Sequence, residues 1–392
     1  MSYVQYNLEG IEITAGIGAF DTIGEILKRR GVTRPLLVTD RNIRAAGSLA
    51  LAEEICRKQG IPYAVYDEVE PDPFSDMVDA GIRVYREAGC DGVVSIGGGS
   101  VMDVGKGISL MAAHEGNVLE YTRRWPNPKP ITKKGCPIIN VPTTSGTGSE
   151  VSLFAVLTNR ENHRKMTLES KYILSDAAVL DPRLAVSLPR PIMVSCFMDA
   201  LAHAAESYVH AATIATPCLV SDTLALKAVE LLCANVEQVY EDGQNLEARM
   251  NMMWGAMLAG LALNIGAGES HALGAMLSKY HGVPHGYSVG VSLPACLEYG
   301  ISSCPQRYFD LARAMGAEVS GLTPEEGARK GVNHLRAMLR RMAFPTMGDY
   351  ITPEEAKKYS QECSANSCCV QNHRMTTPGQ VEAAFALAIT KG

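Results

Sequence analysis

The chain has 392 residues, of which 46% are hydrophobic and 20% charged, and its formal net charge is −6. This length allows two domains with cores that need no disulfide or metal staple, and the acidic balance argues against nucleic-acid binding. No apolar run approaches the roughly 18 residues of a membrane span, the N-terminus lacks the pattern of a secretory signal, and the 11 cysteines include no C-x-x-C pair. We therefore expect a cytoplasmic protein with reduced thiols that binds neither nucleic acid nor a membrane.

The first part of the chain alternates short runs rich in Val, Ile and Leu with helical patterns. This alternation is typical of a parallel sheet with crossover helices. After Asp181-Pro182 the pattern changes to long apolar-periodic segments and predicts only helices. We predict an N-terminal α/β domain over residues 1–184 and an all-α domain over residues 185–392. The individual predictions are strands at 35–40, 63–69, 92–97 and 138–141 and helices at 49–58 and 75–87.

A glycine-rich turn follows the predicted strand at 92–97. Residues 97–103 read Gly-Gly-Gly-Ser-Val-Met-Asp, which places bare backbone amides at the start of a helix, where an anionic diphosphate can bind. Met102 stands where the G-x-G-x-x-G dinucleotide fingerprint needs its third glycine. The segment is therefore either a phosphate-binding turn or a tight turn without a ligand.

Two further polar segments follow strands of the same domain. Residues 142–150, Pro-Thr-Thr-Ser-Gly-Thr-Gly-Ser-Glu, offer hydroxyls and amides to phosphate or ribose oxygens. Asp40, after the strand at 35–40, can accept hydrogen bonds from an adenosine ribose and would repel a 2′-phosphate, which favours NAD over NADP. The alternative for Asp40 is a helix N-cap.

A possible metal site lies in the helical domain. Asp199 and His203 are four residues apart in an Ala-rich run without Gly or Pro, so a helix stacks their side chains on one face. His271, His281 and His285 follow downstream. One carboxylate with two or three imidazoles suits Fe(II) or Zn(II) with an open coordination position. Any one of these histidines, considered singly, is more typical of a core or surface histidine.

Taken together, these segments resemble the iron-containing (group III) alcohol dehydrogenases, relatives of dehydroquinate synthase, over nearly the whole chain. The resemblance depends on five motifs in the order of the family and on a C-terminal remnant. They are GGGSVMD at 97–103, PTTSGTGSE at 142–150, LDPRL at 180–184, MDALAHAAE at 198–206, ESHALGAMLSKYHGVPHG at 269–286 and CVQNHR at 369–374.

The resemblance implies the dehydroquinate synthase-like fold, with a nucleotide-binding α/β domain, a helical domain and an active site in the cleft between them. It also implies two cofactors, NAD(H) and one divalent metal, Fe(II) or Zn(II), and a homodimer or larger homo-oligomer. The implied metal ligands are Asp199, His203, His271 and His285, and the implied cofactor contacts are Asp40, Gly98, Gly99, Ser100, Asp103, Thr143, Thr144, Thr147 and Lys165.

The chain departs from the family where members carry a further histidine, four residues after the third metal ligand. That position is Ala275 here. His281, four residues before His285, is the nearest replacement by sequence, and we name it as the candidate catalytic residue of a proton relay. The alternative for His281 is an ordinary surface histidine.

The activity implied by the resemblance is reversible hydride transfer between NAD and a short primary alcohol or aldehyde. Four basic residues, Arg123, Arg124, Lys171 and Lys279, raise the hypothesis of an anionic, sulfonated or phosphonated aldehyde. Two alternatives stay open at this point. One is a lyase similar to dehydroquinate synthase, which regenerates NAD within each turnover, and the other is a non-catalytic NAD-binding protein.

Overall fold

A computed structural model describes residues 2–8, 10–370 and 377–391, so most of the CVQNHR element lies outside the described residues. The chain forms two units. The first contains Met1–Thr144 and Ser149–Leu188, and the second contains Ser145–Gly148 and Pro189–Gly392. The fold class predicted from the sequence, an α/β unit followed by helices, is confirmed.

The strands of the first unit are β1 (Ser2–Leu8), β2 (Ile11–Ile17), β3 (Pro35–Val38), β4 (Ala64–Tyr66), β5 (Gly92–Gly97), β6 (Ile138–Pro142), β7 (Phe154–Thr158), β8 (Lys165–Glu169) and β9 (Ala177–Leu180). Its helices are α1 (Ile23–Arg29), α2 (Arg41–Ala45), α3 (Ser48–Lys58), α4 (Ser75–Glu87) and α5 (Gly99–Met111). Short 3₁₀ turns occur at Ala19–Thr22, Val118–Tyr121, Lys171–Ile173 and Pro182–Ala185.

Seven strands form one sheet in the order β1-β2-β9-β6-β5-β3-β4. All neighbours are parallel except β1, which pairs antiparallel with β2 at the edge. β5 is buried along its whole length, as expected for a central strand covered on both faces. β7 and β8 form a separate antiparallel hairpin, which the alternating pattern of the sequence did not predict.

The apolar side chains of each strand alternate between the two faces of the sheet. Leu36 and Val38 pack with residues of α4 and α5 on one face, whereas Leu37 packs with residues of α1 and α3 on the other. Helix α4 buries Met77 and Ile82 among others at helical spacing. Its bounds and those of β5 match the sequence prediction.

The described secondary structure of the second unit is helical. Its helices are α6 (Arg190–Tyr208), α7 (Ala211–Ala215), α8 (Leu219–Glu241), α9 (Leu246–Ala262), α10 (Glu269–His281), α11 (His285–Gly300), α12 (Pro305–Ala314), α13 (Pro324–Arg341), α14 (Pro353–Ser364), α15 (Ser367–Val370) and α16 (Pro378–Lys391). Short 3₁₀ turns lie at Leu263–Ile265, Ile301–Ser303 and Met347–Asp349.

Helix α6 is the centre of this unit, where it packs against α8, α9, α10 and α11. From Phe197 to its last residue every side chain is buried, because small Ala residues let neighbouring helices approach on all sides. Polar side chains on α6 are therefore held inside the unit. Among the described residues no single helix is long and apolar enough to cross a membrane, and Leu246–Ile265 with Glu269–His281 meets that requirement only as a pair bent by 100°.

Candidate functional site

Three of the predicted cofactor-binding segments lie at one edge of the sheet. β3, β5 and β6 are adjacent and parallel, so their carboxyl ends meet at the same edge. Asp40 follows β3, Gly98 and Gly99 follow β5, and Thr143 follows β6. This is the edge at which open α/β sheets bind ligands.

The glycine turn has an open backbone. Gly98 is the N-cap of α5, it makes no side-chain cap, and Gly99 and Ser100 supply the first residues of the helix. A Cβ atom on Gly98 would lie 3.4 Å from Thr144 Cγ2, an ordinary contact, so the neighbouring Thr144 does not demand a glycine there. The first amides of α5 have no partners earlier in the helix and point toward the edge where an anion can bind.

Other predicted cofactor residues already have partners inside the first unit. Asp40 Oδ1 accepts from the amides of Asn42 and Ile43, so it is the N-cap of α2, as the alternative interpretation held. Lys165 Nζ donates to Asp72 Oδ1 at 2.8 Å. Thr143 differs, because its hydroxyl is buried without a hydrogen-bond partner among the described residues.

Asp103 lies inside α5 rather than in its first turn. Oδ1 accepts from the Ser149 hydroxyl at 2.7 Å, and Oδ2 accepts from the Val156 amide at 2.8 Å. Burial raises the pKa of Asp103, against the opposing effect of Lys106. These contacts connect α5 to the end of the 142–150 segment and to β7. Thr147 belongs to the short stretch Ser145–Gly148, which groups with the second unit.

The four predicted metal ligands come together in the second unit, and we call them the histidine cluster. Asp199 and His203 lie in the middle of α6, His271 in the first turn of α10 and His285 at the first position of α11. Measured from Asp199 Oδ1, the Nε2 atoms of His203, His271 and His285 lie at 3.6, 3.7 and 3.4 Å.

These distances exceed the roughly 2.7–3.2 Å typical of N–H···O hydrogen bonds and suit donors around a common ion. An ion with bonds of roughly 2.0–2.2 Å in tetrahedral geometry separates its donors by about 3.4 Å. Ligand atoms of Asp199, His271 and His285 all lie within 4.8 Å of one another. His203 is outside that closest group, but its ring stacks on that of His271, with ring centroids 4.9 Å apart.

Several polar atoms of the histidine cluster are buried and have no hydrogen-bond partner. Within the described part of the chain these are Asp199 Oδ1, His203 Nδ1 and His271 Nε2. Leaving such atoms unpaired in a protein interior costs about 1–3 kcal/mol each. The donor set of one carboxylate and three imidazoles therefore fits a divalent metal, which would satisfy Asp199 Oδ1 and His271 Nε2.

The charged groups of the histidine cluster shift one another's pKa values. Burial raises the pKa of Asp199, but His203, His285 and His271 outweigh it and hold that pKa well below its usual range. Burial also lowers the pKa of His271, but Glu206 and Asp199 outweigh it and raise the pKa to about 10. A metal at Nε2 of His271 must therefore displace a proton.

His281, the candidate proton relay, lies in the last turn of α10. Its Nε2 atom is 2.9 Å from the Tyr359 hydroxyl and 3.7 Å from Glu355 Oε1, both on α14. Its side chain is 23% exposed. Ala275 is partly buried against an apolar cluster of the same unit. The relay role of His281 stays a prediction.

Sequence reasoning missed Glu206, which is buried and accepts a hydrogen bond from His271 Nδ1. The signal was present in the sequence. Asp199, His203 and Glu206 occupy positions i, i+4 and i+7, which place all three on one face of a helix. The buried residues Lys106 and Glu150 of the first unit were also missed.

Comparisons with known proteins cover nearly the whole chain. The family model described as iron-containing alcohol dehydrogenase matches residues 11–182, and the model for the C-terminal part of the same family matches residues 193–389. A choline dehydrogenase of Bacillus subtilis is 35% identical over 352 residues, which are 89% of this chain and 86% of that protein.

Two solved structures extend the comparison. A 1,3-propanediol oxidoreductase superposes with a TM-score of 0.90 at 31% identity and covers 99% of both chains. A sulfoacetaldehyde reductase from Bifidobacterium kashiwanohense, in complex with NAD⁺, superposes with a TM-score of 0.87 at 25% identity and covers both chains completely. The chain therefore belongs to the iron-containing alcohol dehydrogenase family, an oxidoreductase family that acts on alcohols and aldehydes with NAD(H) and one metal ion.

Proposed function

We propose that this chain is a metal-dependent NAD(H) alcohol dehydrogenase or aldehyde reductase for a short primary alcohol or aldehyde. The observation that carries the proposal is the histidine cluster. Its donors surround Asp199 Oδ1 at 3.4–3.7 Å, and three of its polar atoms are buried without partners in the described residues.

In this proposal Asp199, His203, His271 and His285 hold Fe(II) or Zn(II). Such an ion supplies a positive charge that polarises the oxygen of the alcohol or aldehyde. The protein contributes one carboxylate and three imidazoles, so the site keeps a net positive charge when loaded. Asp199 and His203 are buried, which excludes water from their side of the site. The lower local dielectric strengthens the effect of this positive charge on the substrate oxygen.

The cofactor is proposed to bind at the carboxyl edge of the sheet. The first amides of α5, at Gly99 and Ser100, would receive the diphosphate, with Gly98 allowing close approach. Thr143 and Thr144 would contribute hydroxyls, as would Thr147. Asp40 uses Oδ1 to cap α2 and would offer Oδ2 to the adenosine ribose, which keeps the preference for NAD.

Two residues proposed to contact the cofactor already have partners in the first unit. Lys165 is half-buried and paired with Asp72, so it would have to exchange this partner for the nucleotide. Asp103 would support the cofactor indirectly, because its oxygens bind Ser149 and Val156. It would thereby hold the end of the 142–150 segment and β7 in place.

The substrate is proposed to be a neutral short alcohol or aldehyde. The three relatives named above act on a cation, a neutral diol and an anion, so the charge preference must come from residues of this chain. Of the four basic candidates, Arg123 pairs with Glu169 and Lys279 with Glu362. These pairs cancel two of the charges that the anionic-substrate hypothesis needs.

The other two basic candidates, Arg124 and Lys171, could still bind an anionic aldehyde. Arg124 donates at 3.5 Å to the carbonyl of Lys165, and Lys171 lies over the ring of Tyr172. Neither contact neutralises the cation. A sulfonated or phosphonated aldehyde would therefore depend on Arg124 or Lys171 rather than on Lys279.

The test follows NADH absorbance with metal-stripped protein reloaded with Fe(II) or Zn(II). Neutral, cationic and sulfonated short aldehydes are offered as substrates. We expect metal-dependent, stoichiometric NADH oxidation with the neutral aldehydes. Turnover without net NADH consumption would move the assignment to the lyase class, and NADH binding without reduction of any aldehyde would contradict the proposed activity.

Substrate charge is tested by two matched variants. If the substrate is anionic, Arg124→Ala raises its KM selectively, whereas Lys279→Ala, which removes a cation already paired with Glu362, does so much less. We expect neither variant to change the KM for a neutral aldehyde by more than about twofold, a difference of about 0.4 kcal/mol.

A further inference from the structure

One buried carboxylate connects two of the helices that supply the histidine cluster. Glu206 lies on α6, three residues after His203, and its two oxygens accept four hydrogen bonds. Oε2 accepts from the Gly268 amide at 2.8 Å and from His271 Nδ1 at 2.5 Å. Oε1 accepts from the amide and the hydroxyl of Ser270, both at 2.5 Å.

The hydrogen bond from His271 decides which of its ring nitrogens is available. An ionised carboxylate only accepts, so Nδ1 carries the proton that it donates to Glu206. In the neutral imidazole the lone pair is then on Nε2, which lies 3.7 Å from Asp199 Oδ1. Histidines that bind metals are commonly held in this way by a carboxylate on the second nitrogen.

Glu206 also fixes the start of α10. The first amides of a helix have no partners within it, and the N-cap Gly268 has no side chain to supply one. The carboxylate of Glu206 accepts from two of these amides, and a negative charge is favoured at a helix N-terminus. His271 lies in the turn that this contact anchors.

The side chain of Glu206 approaches the backbone of Gly268 so closely that the contact requires a glycine there. A Cβ atom on Gly268 would lie 3.0–3.1 Å from Cβ, Cγ and Cδ of Glu206, tighter than ordinary van der Waals contact. The absence of a side chain at Gly268 thus lets the carboxylate lie directly against the start of α10.

We propose that Glu206 is a positioning residue of the metal site. It fixes the tautomer and ring orientation of His271, and it sets the start of α10 against α6, which carries Asp199 and His203. The inference rests on the proposed metal site. It goes beyond the ligand set, because Glu206 would act through His271 without touching the metal.

The test measures metal affinity rather than turnover. Metal-stripped wild type and Glu206→Gln are reloaded with Co(II) in competition with a chelator, and the visible spectrum of Co(II) reports the ligand geometry. We expect Glu206→Gln to bind Co(II) roughly 10- to 100-fold more weakly and with an altered spectrum, because the amide holds the His271 proton less well. Glu206→Asp keeps the charge and should recover part of the affinity.

The matched control is Glu298→Gln. Glu298 is a carboxylate of the same unit, on α11, and it pairs with Arg336 and Lys391 away from the cluster. This variant should leave Co(II) affinity unchanged. Equal loss of affinity in both variants would show general loosening of the helices and would overturn the specific role of Glu206.

The remaining outcomes separate the two proposals. If wild type binds no Co(II), the metal site itself fails. If wild type binds Co(II) and Glu206→Gln binds it equally well, the role of Glu206 is overturned. If Glu206→Gln does not fold, Gly268→Ala replaces it, because its methyl group displaces the carboxylate without changing any charge. Unchanged affinity in a folded Gly268→Ala protein would also overturn the inference.

Discussion

Each unit buries a cluster of charged side chains, and the two clusters differ in whether their polar atoms find partners. In the first unit Lys106 lies beside Asp103 and Glu150, and we call these three residues the lysine cluster. Lys106 Nζ donates to the carbonyls of Ser152 at 3.0 Å and Phe154 at 2.7 Å. In the histidine cluster, atoms of comparable polarity have no partner among the described residues.

This difference separates a structural cluster from a binding site. Lys106 is 1% exposed and Glu150 is 2% exposed, so both charges depend on neighbouring groups for stabilisation. Lys106 and Asp103 of the lysine cluster have hydrogen-bond partners among residues 149–156, so the cluster connects α5 to β7 and the segment before it. In the histidine cluster, Asp199 Oδ1 and His271 Nε2 have no such partner among the described residues, and a cation would complete it.

The largest expected effect comes from removing the carboxylate of the histidine cluster. Asp199→Asn takes away the anionic donor that lies 3.4–3.7 Å from all three imidazoles. We expect Co(II) affinity and metal-dependent turnover to fall by about a thousandfold or more, beyond the 10- to 100-fold typical of residues that only orient a ligand. Chelator competition and NADH oxidation measure the two quantities.

Two results would bear on this comparison. A loss of turnover without a loss of metal affinity would mean that Asp199 is not a ligand. The variant Lys106→Met changes only the first unit. A large loss of Co(II) affinity in this variant would mean that the two clusters do not act independently.

The next effect is on stability and should be confined to the first unit. Lys106→Met leaves two carbonyls without their donor and two carboxyls without their cation. Leaving a buried carbonyl without its hydrogen bond costs about 1–3 kcal/mol. We expect amide hydrogen exchange of α5 to accelerate accordingly, while Co(II) affinity of the second unit stays the same.

The control for this prediction is Lys58→Met on α3. Lys58 is 73% exposed and pairs with Glu54 one turn away, so its removal should leave the exchange of α5 unchanged. Similar exchange in Lys106→Met and Lys58→Met would show that the lysine cluster does not stabilise α5.

The smallest predicted effect is a change in pH dependence. Burial raises the pKa of Glu150 to about 7 from its ordinary 4.5, against the opposing effect of Lys106. Between about pH 4.5 and 7 the folded chain then holds a proton that the unfolded chain releases. Stability therefore falls as pH rises through this range, by about 1.4 kcal/mol for each pH unit.

Glu150→Gln should remove that slope. We expect the variant to resist unfolding better than wild type at pH 8 and to differ little from it below pH 4.5, as measured by exchange of α5 at several pH values. Glu161→Gln, which changes an exposed carboxyl of the same unit, is the control. A wild-type slope that persists in Glu150→Gln would assign the titration to another group.

The titration of Lys106 changes stability in the opposite direction, and it does so at higher pH. Burial lowers its pKa to about 8 from 10.5, against the opposing effect of Asp103 and Glu150. Between about pH 8 and 10.5 the unfolded chain binds the additional proton, so stability rises with pH in that range. Lys106→Met removes this rise, which distinguishes it from Glu150→Gln.

The order of the elements was predictable from the sequence because it depends on local patterns. Helix α4 and strand β5 match their predicted bounds, since period 3.6 and an unbroken apolar run can be read from neighbouring residues. The hairpin of β7 and β8 was missed. It carries no crossover helix, so its strands break the alternation on which the prediction was based.

The candidate site was predictable in part for the same reason. Asp199 and His203 share a helix face, so their spacing made them a possible ligand pair once further histidines were found downstream. The resemblance selected His271 and His285 from the three histidines downstream, and the structure places them with Asp199 and His203. The resemblance implied a cofactor contact for Asp103, whose oxygens accept hydrogen bonds from Ser149 and Val156, partners that no local pattern indicated.

The sequence by itself determined the succession of strands and helices, the two domain types and the residues that share a face of α6, because neighbours in the chain set these features. Tertiary structure alone decided which buried polar atoms find partners. Glu206 meets Gly268, Ser270 and His271 across 62 to 65 residues of chain. No local pattern specifies that meeting, because it depends on how α6 and α10 pack.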